Sequence, residues 1–260
     1  DAPAIFGSTG DLAKVMVFRS LSRLEQRGLL DCPIVGVAFD DWTVGQLVAE
    51  TIKLYGAHWW AALLIGLPAA LLSTVATGFD RAQTLEIVPL AGAVAATASF
   101  VGACAVVSGA PLRSRSALTA FLVGVLVWVP FPFLAAVFVL PGLAWFALVG
   151  MAVPAALVER LGVRASLRRG IELGRADYAH ALGGLATLTI LVFLTQIAAS
   201  LLLQNYADNS ERLAAFLAGL VLSPVLFLGG ALLYGDQVAR AGRARAERAA
   251  TGIAPRDAAE

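Results

Sequence analysis

The sequence has little charge, and its longest apolar part has none. Only 14% of the 260 residues are Asp, Glu, Lys or Arg, whereas soluble domains usually carry about 25%. From Ser116 to Val158, 43 consecutive residues contain no Asp, Glu, Lys, Arg or His. One helix of that length would reach about 65 Å, roughly twice the apolar thickness of a bilayer. The stretch therefore predicts two membrane-crossing helices that reverse near Leu140-Pro141-Gly142, where Pro lacks a donor and Gly tolerates a turn.

The residues that build common catalytic and metal sites are also scarce. Cys32 and Cys104 form no C-x-x-C or Cys/His cluster, so neither a disulfide nor a zinc site is expected. His58 adjoins two tryptophans at a predicted membrane interface, and His180 has no carboxylate or thiol at ligand spacing. The chain has no Ser/His/Asp set, HExxH, Walker loop or suitably paired carboxylates. We expect no metal, no catalytic residues and no nucleic-acid partner, the last because the net charge is only +1.

Apolar residues are abundant, at 59% of the chain with a mean hydropathy of +0.80. They fall into runs long enough to cross a bilayer. Apart from Cys104 and the tyrosine at 234, the predicted spans contain no ionisable side chain, which disfavours ion-coupled transport. The fold class predicted is an all-α polytopic membrane protein with six transmembrane helices, at about Trp59–Gly78, Ile87–Ser108, Ala117–Val139, Gly142–Val158, Ala181–Leu203 and Leu213–Gly235.

Basic residues are distributed unevenly between the predicted loops. With the N-terminus in the cytoplasm, 17 of the 19 Lys and Arg residues lie on the cytoplasmic side, and only Arg81 and Arg212 lie outside. The positive-inside rule therefore predicts both termini in the cytoplasm of a bacterial inner membrane.

Two polar segments are predicted to lie at the cytoplasmic membrane surface. Residues 42–58 show helical spacing of apolar residues, which is typical of an amphipathic interfacial helix. Residues 159–180 alternate charges with apolar positions and predict a second surface helix, with arginines that reach lipid phosphate. A solvated loop that only sets topology is the alternative. The predicted lipid-interface residues are Trp59, Trp60, Arg164, Arg168 and Arg169.

The first 41 residues differ from the rest and predict a truncated Rossmann-like β-α-β fragment. Residues 3–6 and 33–38 are typical of short strands, and residues 11–27 of a helix. Gly7 and Gly10 precede the helix, where free N–H groups favour an anion such as phosphate. A plain strand-to-helix turn explains the same spacing.

The residues of this fragment resemble those of the glucose-6-phosphate dehydrogenase family. The resemblance rests on Ile-Phe-Gly-Ser-Thr-Gly-Asp-Leu-Ala-Lys at residues 5–14, Leu-Glu-Gln-Arg-Gly-Leu-Leu at 24–30 and Ile-Val-Gly-Val-Ala at 34–38. It implies an NADP-binding segment with Gly7, Thr9, Gly10, Asp11 and Leu12 at the dinucleotide. The family's catalytic Asp-His-Tyr-Leu-Gly-Lys motif is not present, so dehydrogenase activity is not expected. A gene-fusion remnant without function is the alternative.

Residues 42–240 resemble the six-helix membrane domain of bacterial glycerophosphodiester phosphodiesterases and related inner-membrane proteins. The similar motifs are Thr-Ile-Lys-Leu-Tyr at residues 51–55, Val-Pro-Ala-Ala-Leu-Val-Glu at 153–159 and Ala-Ser-Leu-Arg-Arg at 165–169. The chain lacks the soluble phosphodiesterase domain that follows this bundle in some relatives, so that activity is not implied.

These observations predict four parts: the fragment at 1–41, the interfacial helix at 42–58, a six-helix bundle at 59–235 and a basic cytoplasmic tail at 236–260. The leading hypothesis is a non-catalytic membrane protein with an accessory or lipid-interacting role. A membrane-tethered NADP-binding module and a small-molecule channel or exporter are the alternatives. The lipid bilayer is the expected partner, and the sequence leaves a membrane-protein partner or homo-oligomer open.

Overall fold

The computed structural model describes residues 4–6, 35–37, 43–76, 81–112, 115–137, 139–203 and 210–250. Its two strands, β1 (Ala4–Phe6) and β2 (Val35–Val37), pair in parallel, with Ala4 opposite Val35. Their positions agree with the two strands expected near the start of the chain. The helix predicted between them lies outside the described residues.

From Thr43 onward the described residues are mostly helical, as the apolar composition predicts. Turns of one or two residues join several of these helices. They are α1 (Val44–Ala57), α2 (Trp59–Ala76), α3 (Arg81–Ser108), α4 (Arg115–Trp128), α5 (Pro130–Val137), α6 (Val139–Val149), α7 (Ala152–Val158), α8 (Val163–Ala176), α9 (Tyr178–Leu203) and α10 (Ser210–Ala250).

Five helical segments of the described chain are long and apolar enough to cross a membrane. A sixth is counted only if α1 and α2, which meet at an angle of 102°, form one broken span. The long apolar helices are thus confirmed, whereas the number six depends on that bent pair. The five are Pro89–Ser108, Arg115–Leu134, Val139–Val158, Tyr178–Ala199 and Phe216–Ala244.

The charge-free stretch does fold as two helical arms, but it does not reverse where the sequence analysis placed the turn. Leu140, Pro141 and Gly142 lie inside the first turn of α6; the described part of the first arm ends at Val137, and that of the second begins at Val139. Proline is tolerated in the first turn of a helix because its missing N–H would have had no partner there. The prediction of a turn at Pro141 was therefore wrong by a few residues.

Aromatic rings from four helices meet in the centre of the bundle. Phe100 of α3 lies against Phe146 of α6, with ring centroids 5.2 Å apart, and Trp128 of α4 lies 4.9 Å from Phe146. Phe227 of α10 contacts both Phe100 and Trp128. Edge and tilted aromatic contacts stabilise the core beyond the area that they bury. They fix α3, α4, α6 and α10 around one point.

α10 also approaches α2 very closely through glycine. A Cβ atom placed on Gly66 would collide with the carbonyl oxygen of Leu220, so only glycine fits at this position. Close backbone approach through small residues is the usual way in which membrane helices pack.

The chain forms two compact units, Val44–Gln237 and Asp1–Thr43 together with Val238–Glu260. The aromatic core and the close-packed helices belong to the first. The described parts of the second are the paired strands and the last part of α10.

Candidate functional site

The arginine-rich helix α8 is docked on the bundle by its small residues. Ser166, Gly170 and Gly174, spaced four residues apart, are all buried. A Cβ atom on Gly170 would lie 2.5 Å from the backbone nitrogen of Ala152, and one on Gly174 would lie 2.6 Å from the carbonyl oxygen of Leu148. α8 therefore packs directly on the backbones of α6 and α7.

A surface helix was predicted here because apolar residues alternate with the charges. Of those apolar residues, Leu173 is fully buried, Leu167 and Ile171 are half-buried, and Val163 is exposed. The signal that was missed is the small-residue spacing Ser166-x-x-x-Gly170-x-x-x-Gly174, which favours close packing.

The opposite face of α8 carries the guanidinium groups. Arg164, Arg168 and Arg175 are exposed, and Arg168 lies 3.7 Å from Glu172 on the next turn. An exposed pair of this kind contributes little to stability, which leaves Arg168 able to exchange partners. These arginines present a positive face that is held rigidly by the docked helix.

Arg169 has a different environment from the other two predicted lipid-contacting arginines. Its side chain is only 19% exposed, and its Nε donates a hydrogen bond of 3.1 Å to Glu159. Its Nη1 also lies 3.6 Å from Glu172. The structure therefore places Arg169 inside an ion-pair network, apart from the exposed face formed by Arg164 and Arg168.

Glu159, in the loop after α7, connects this network to α10. The Tyr234 hydroxyl donates a 2.8 Å hydrogen bond to the same Glu159 oxygen that accepts from Arg169. Burial lowers the pKa of the Arg169 guanidinium, but the hydrogen bond and charge of Glu159 outweigh it and raise that pKa above its ordinary value. A base with a raised pKa keeps its charge at every lower pH, so Arg169 stays charged throughout the neutral range.

A second polar contact joins α9 to α10. The His180 Nε2 atom lies 2.9 Å from Oδ2 of Asp236, and the Asp236 side chain is only 1% exposed. The neighbouring Gln237 donates a 3.3 Å hydrogen bond to the Asp177 carbonyl oxygen. The Asp177 side chain accepts a bond from the backbone N–H of His180 at the start of α9. Together these contacts anchor that end of α9.

This contact was not predicted, because the last span was expected to end at Gly235 and Asp236 to belong to the tail. In the structure α10 continues without a break, and Asp236 is buried. The carboxylate that faces the His180 imidazole is far along the chain, on α10. Distance along the chain cannot reveal such a pair.

The other predicted site residues lie apart from this cluster. Trp59 and Trp60 begin α2, where both rings are exposed and stack with centroids 3.9 Å apart. Gly7, Thr9, Gly10, Asp11 and Leu12 lie outside the described residues. Among the residues that the structure does describe, no three His, Cys, Asp or Glu side chains gather as a metal site.

The buried members of the cluster are suited to holding helices together, because each charge faces a partner on another element. The exposed arginines of α8 are suited to contacts with an anion outside the chain. A guanidinium donates two parallel hydrogen bonds to a phosphate or to a carboxylate, so both anions match this face.

Fold and cluster together describe a helical protein with several apolar helices of membrane-crossing length and a basic helix docked against α6 and α7. The chain matches no protein-family model and no solved structure. One 48-residue segment, 18% of the chain, is 67% identical to glucose-6-phosphate 1-dehydrogenase 1 of Mycobacterium bovis and of Mycobacterium tuberculosis. The match covers 10% of the length of those relatives. It supports the dehydrogenase resemblance over a short segment, and the resemblance to the six-helix membrane-domain family stays a prediction.

Proposed function

We propose that this chain is a non-catalytic integral protein of a bacterial inner membrane that binds anionic phospholipid through the exposed arginines of α8. The apolar helices support insertion in a bilayer, since five of them meet the length and composition that crossing requires. The uneven distribution of basic residues supports an orientation with both termini in the cytoplasm.

The observation that carries the lipid-binding proposal is the docking of α8. Its small-residue face is fixed against α6 and α7, so Arg164, Arg168 and Arg175 are directed away from the bundle. Each basic residue near an anionic membrane surface contributes about 1 kcal/mol of attraction. A rigid helix presents three such residues with little loss of conformational entropy.

Membrane insertion is tested by washing membranes that contain the full-length chain. The protein should stay in the pellet after sodium carbonate treatment. Release by carbonate or by salt alone would contradict insertion and, with it, the proposed function.

Lipid binding is tested by thermal unfolding of the purified protein in detergent with added phosphatidylglycerol or phosphatidylcholine. A ligand that binds only the folded state raises the unfolding temperature. Phosphatidylglycerol should raise it more than phosphatidylcholine, and a variant combining Arg164→Gln, Arg168→Gln and Arg175→Gln should reduce that difference. The matched control replaces the same three arginines by lysine and should keep most of it. An unchanged preference in the glutamine variant would exclude α8 as the binding surface.

The 48-residue dehydrogenase match favours a second candidate, a membrane-tethered NADP-binding module. In this proposal the start of the chain is a Rossmann-like β-α-β fragment in which Gly7, Thr9, Gly10, Asp11 and Leu12 contact the dinucleotide. The parallel pairing of β1 and β2 supports it, because a crossover connects strands of that kind. Dehydrogenase activity is not proposed, because the chain lacks the family's catalytic motif.

Calorimetric titration of NADP into the detergent-purified full-length protein tests this candidate. Saturable heat that disappears in a Gly10→Trp variant would support a nucleotide site, and Lys53→Gln, far along the chain, serves as a control that keeps it. No heat at millimolar NADP would exclude it.

A further inference from the structure

An open groove of about 520 Å³ lies between α3 and α4. Its volume falls within the range of about 300–1,000 Å³ that is usual for small-molecule sites. Ala98 and Val101 of α3 form one wall, and Ala117, Leu118 and Phe121 of α4 form the other. The exposed side chain of Arg115, the first residue of α4, lies at one end.

Arg115 is the one charged residue among the described residues that line this groove. The sequence from residue 87 to residue 158 contains no Asp or Glu, so the walls of the groove supply no carboxylate. None of the ion pairs formed between described residues includes Arg115. The remaining lining is apolar, and Leu112 and Leu118 are more than half exposed. The ligand that complements this surface has an anionic end and an apolar chain.

The length of the groove matches one leaflet of a bilayer. Ala98 lies ten residues before Ser108, where α3 ends, which corresponds to about 15 Å along the helix. The apolar core of a bilayer is about 30 Å thick, so the groove extends from the helix ends to about the middle. An acyl chain lying there would place its headgroup phosphate beside Arg115.

We propose that the groove binds one anionic phospholipid, with an acyl chain between α3 and α4 and the phosphate at the Arg115 guanidinium. The proposal rests on membrane insertion but not on the arginines of α8, which are separate residues on another helix. A second copy of the chain is less well matched, because a packed helix would leave Arg115 at the interface without an anion.

The test is native mass spectrometry of the full-length protein, released from nanodiscs that contain equal amounts of phosphatidylglycerol and phosphatidylcholine. The wild type should retain one phosphatidylglycerol after the other lipids have dissociated. Arg115→Gln should weaken its retention by about tenfold, since a charge-assisted hydrogen bond is lost, and Arg115→Lys should keep most of it. Ala98→Trp should exclude the lipid whatever its headgroup, because Ala98 is exposed and the indole would enter the groove.

The triple glutamine variant of α8 is the matched control, and it should keep the tightly held lipid. Loss of that lipid in the α8 variant but not in Arg115→Gln would assign it to α8 and overturn the groove proposal. Equal retention of both lipids by the wild type would also overturn it, as would a dimer that covers the groove and excludes lipid. The unfolding temperature of each variant identifies any loss caused by misfolding, and Arg115→Gln, at an exposed position, provides the decisive comparison if Ala98→Trp does not fold.

Discussion

Two apolar segments of this protein have nearly the same hydropathy but very different surroundings. Val139–Val158, which comprises α6 and α7, has a hydropathy of 1.8, and Tyr178–Ala199 of α9 has 1.9. Yet 67% of the first is buried inside the protein, against 22% of the second. Hydropathy therefore identifies a helix that can cross a membrane, but it does not indicate whether protein or lipid will surround that helix.

The size of the side chains accounts for the difference. The α6–α7 segment is rich in Gly, Ala and Pro, and α8 can approach its backbone at Ala152 and Leu148. In α9, by contrast, large side chains dominate the exposed surface. Where lipid is as apolar as protein, small residues allow close packing, and large ones gain little from leaving the lipid. The exposed large residues of α9 are Ile190, Leu191, Phe193, Leu194 and Ile197.

The largest effect is expected at the polar end of α9, because this helix has little packing to hold it. His180→Ala should lower the free energy of unfolding by about 3 kcal/mol, since it removes a partner from the buried Asp236 carboxylate. Denaturation with sodium dodecyl sulfate in mixed micelles measures the change. Thr187→Ala is the control: Thr187 is exposed and its hydroxyl donates to the Gly183 carbonyl oxygen of the same helix, so its loss should cost little. Equal effects of the two variants would show that α9 does not depend on the Asp236 contact.

Two matched leucine substitutions test the difference in burial between α7 and α9. Leu157 of α7 is 2% exposed and Leu194 of α9 is 58% exposed. Leu157→Ala should cost about 2 kcal/mol because it leaves a cavity, while Leu194→Ala should cost close to nothing, since lipid fills the space. Thermal unfolding in one detergent gives both values. Similar losses at the two positions would mean that α9 is covered by protein, as in a homo-oligomer.

Two glycine substitutions provide a third contrast, and their effects on the free energy of unfolding should differ by about 1 to 2 kcal/mol. Gly170→Ala places a Cβ atom against the backbone of Ala152, so α8 must shift and the protein should be destabilised. Gly183 of α9 has nothing within 4 Å of the same atom, and Gly183→Ala should be neutral or slightly stabilising. Unfolding temperatures measured side by side give the comparison. A neutral Gly170→Ala would indicate that α8 is not closely docked.

The sequence was sufficient to predict the elements that depend on composition. The absence of charge from Ser116 to Val158 predicted two helical arms, which α4 to α7 form, because a helix satisfies every backbone group within an apolar segment. The alternation of charged and apolar residues after Glu159 likewise predicted α8. These features depend only on neighbouring residues.

The parts that were missed depend on contacts between distant residues. Pro141 suggested a turn, but a first-turn position makes proline compatible with the helix, and only the course of the chain decides between them. The His180–Asp236 contact and the groove beside Arg115 each require two helices to be placed in space. The four-residue spacing of Gly170 and Gly174 does indicate close packing, but hydrophobic periodicity alone does not detect it.

The smallest contrast concerns two tyrosines, one that contacts the end of α7 and one at the start of α9. The Tyr234 hydroxyl is linked to Glu159 at the end of α7, and the Tyr178 hydroxyl, at the start of α9, donates a weaker bond of 3.3 Å to the Ala144 carbonyl oxygen. Tyr234 is 9% exposed and Tyr178 is 37% exposed. Tyr234→Phe should therefore cost about 1 kcal/mol, and Tyr178→Phe should cost less than about half of that, because water replaces its partner.

Combining Tyr234→Phe with Arg169→Ala tests whether the two hydrogen bonds to Glu159 stabilise the protein independently. Both groups donate to the same Glu159 oxygen, so the two losses should not add, and the double variant should be less stable than the sum of the single losses predicts. Chemical denaturation of the wild type, both single variants and the double variant completes the cycle. Strict additivity would mean that Glu159 does not couple α8 to α10, and the more buried region would then owe its stability to packing alone.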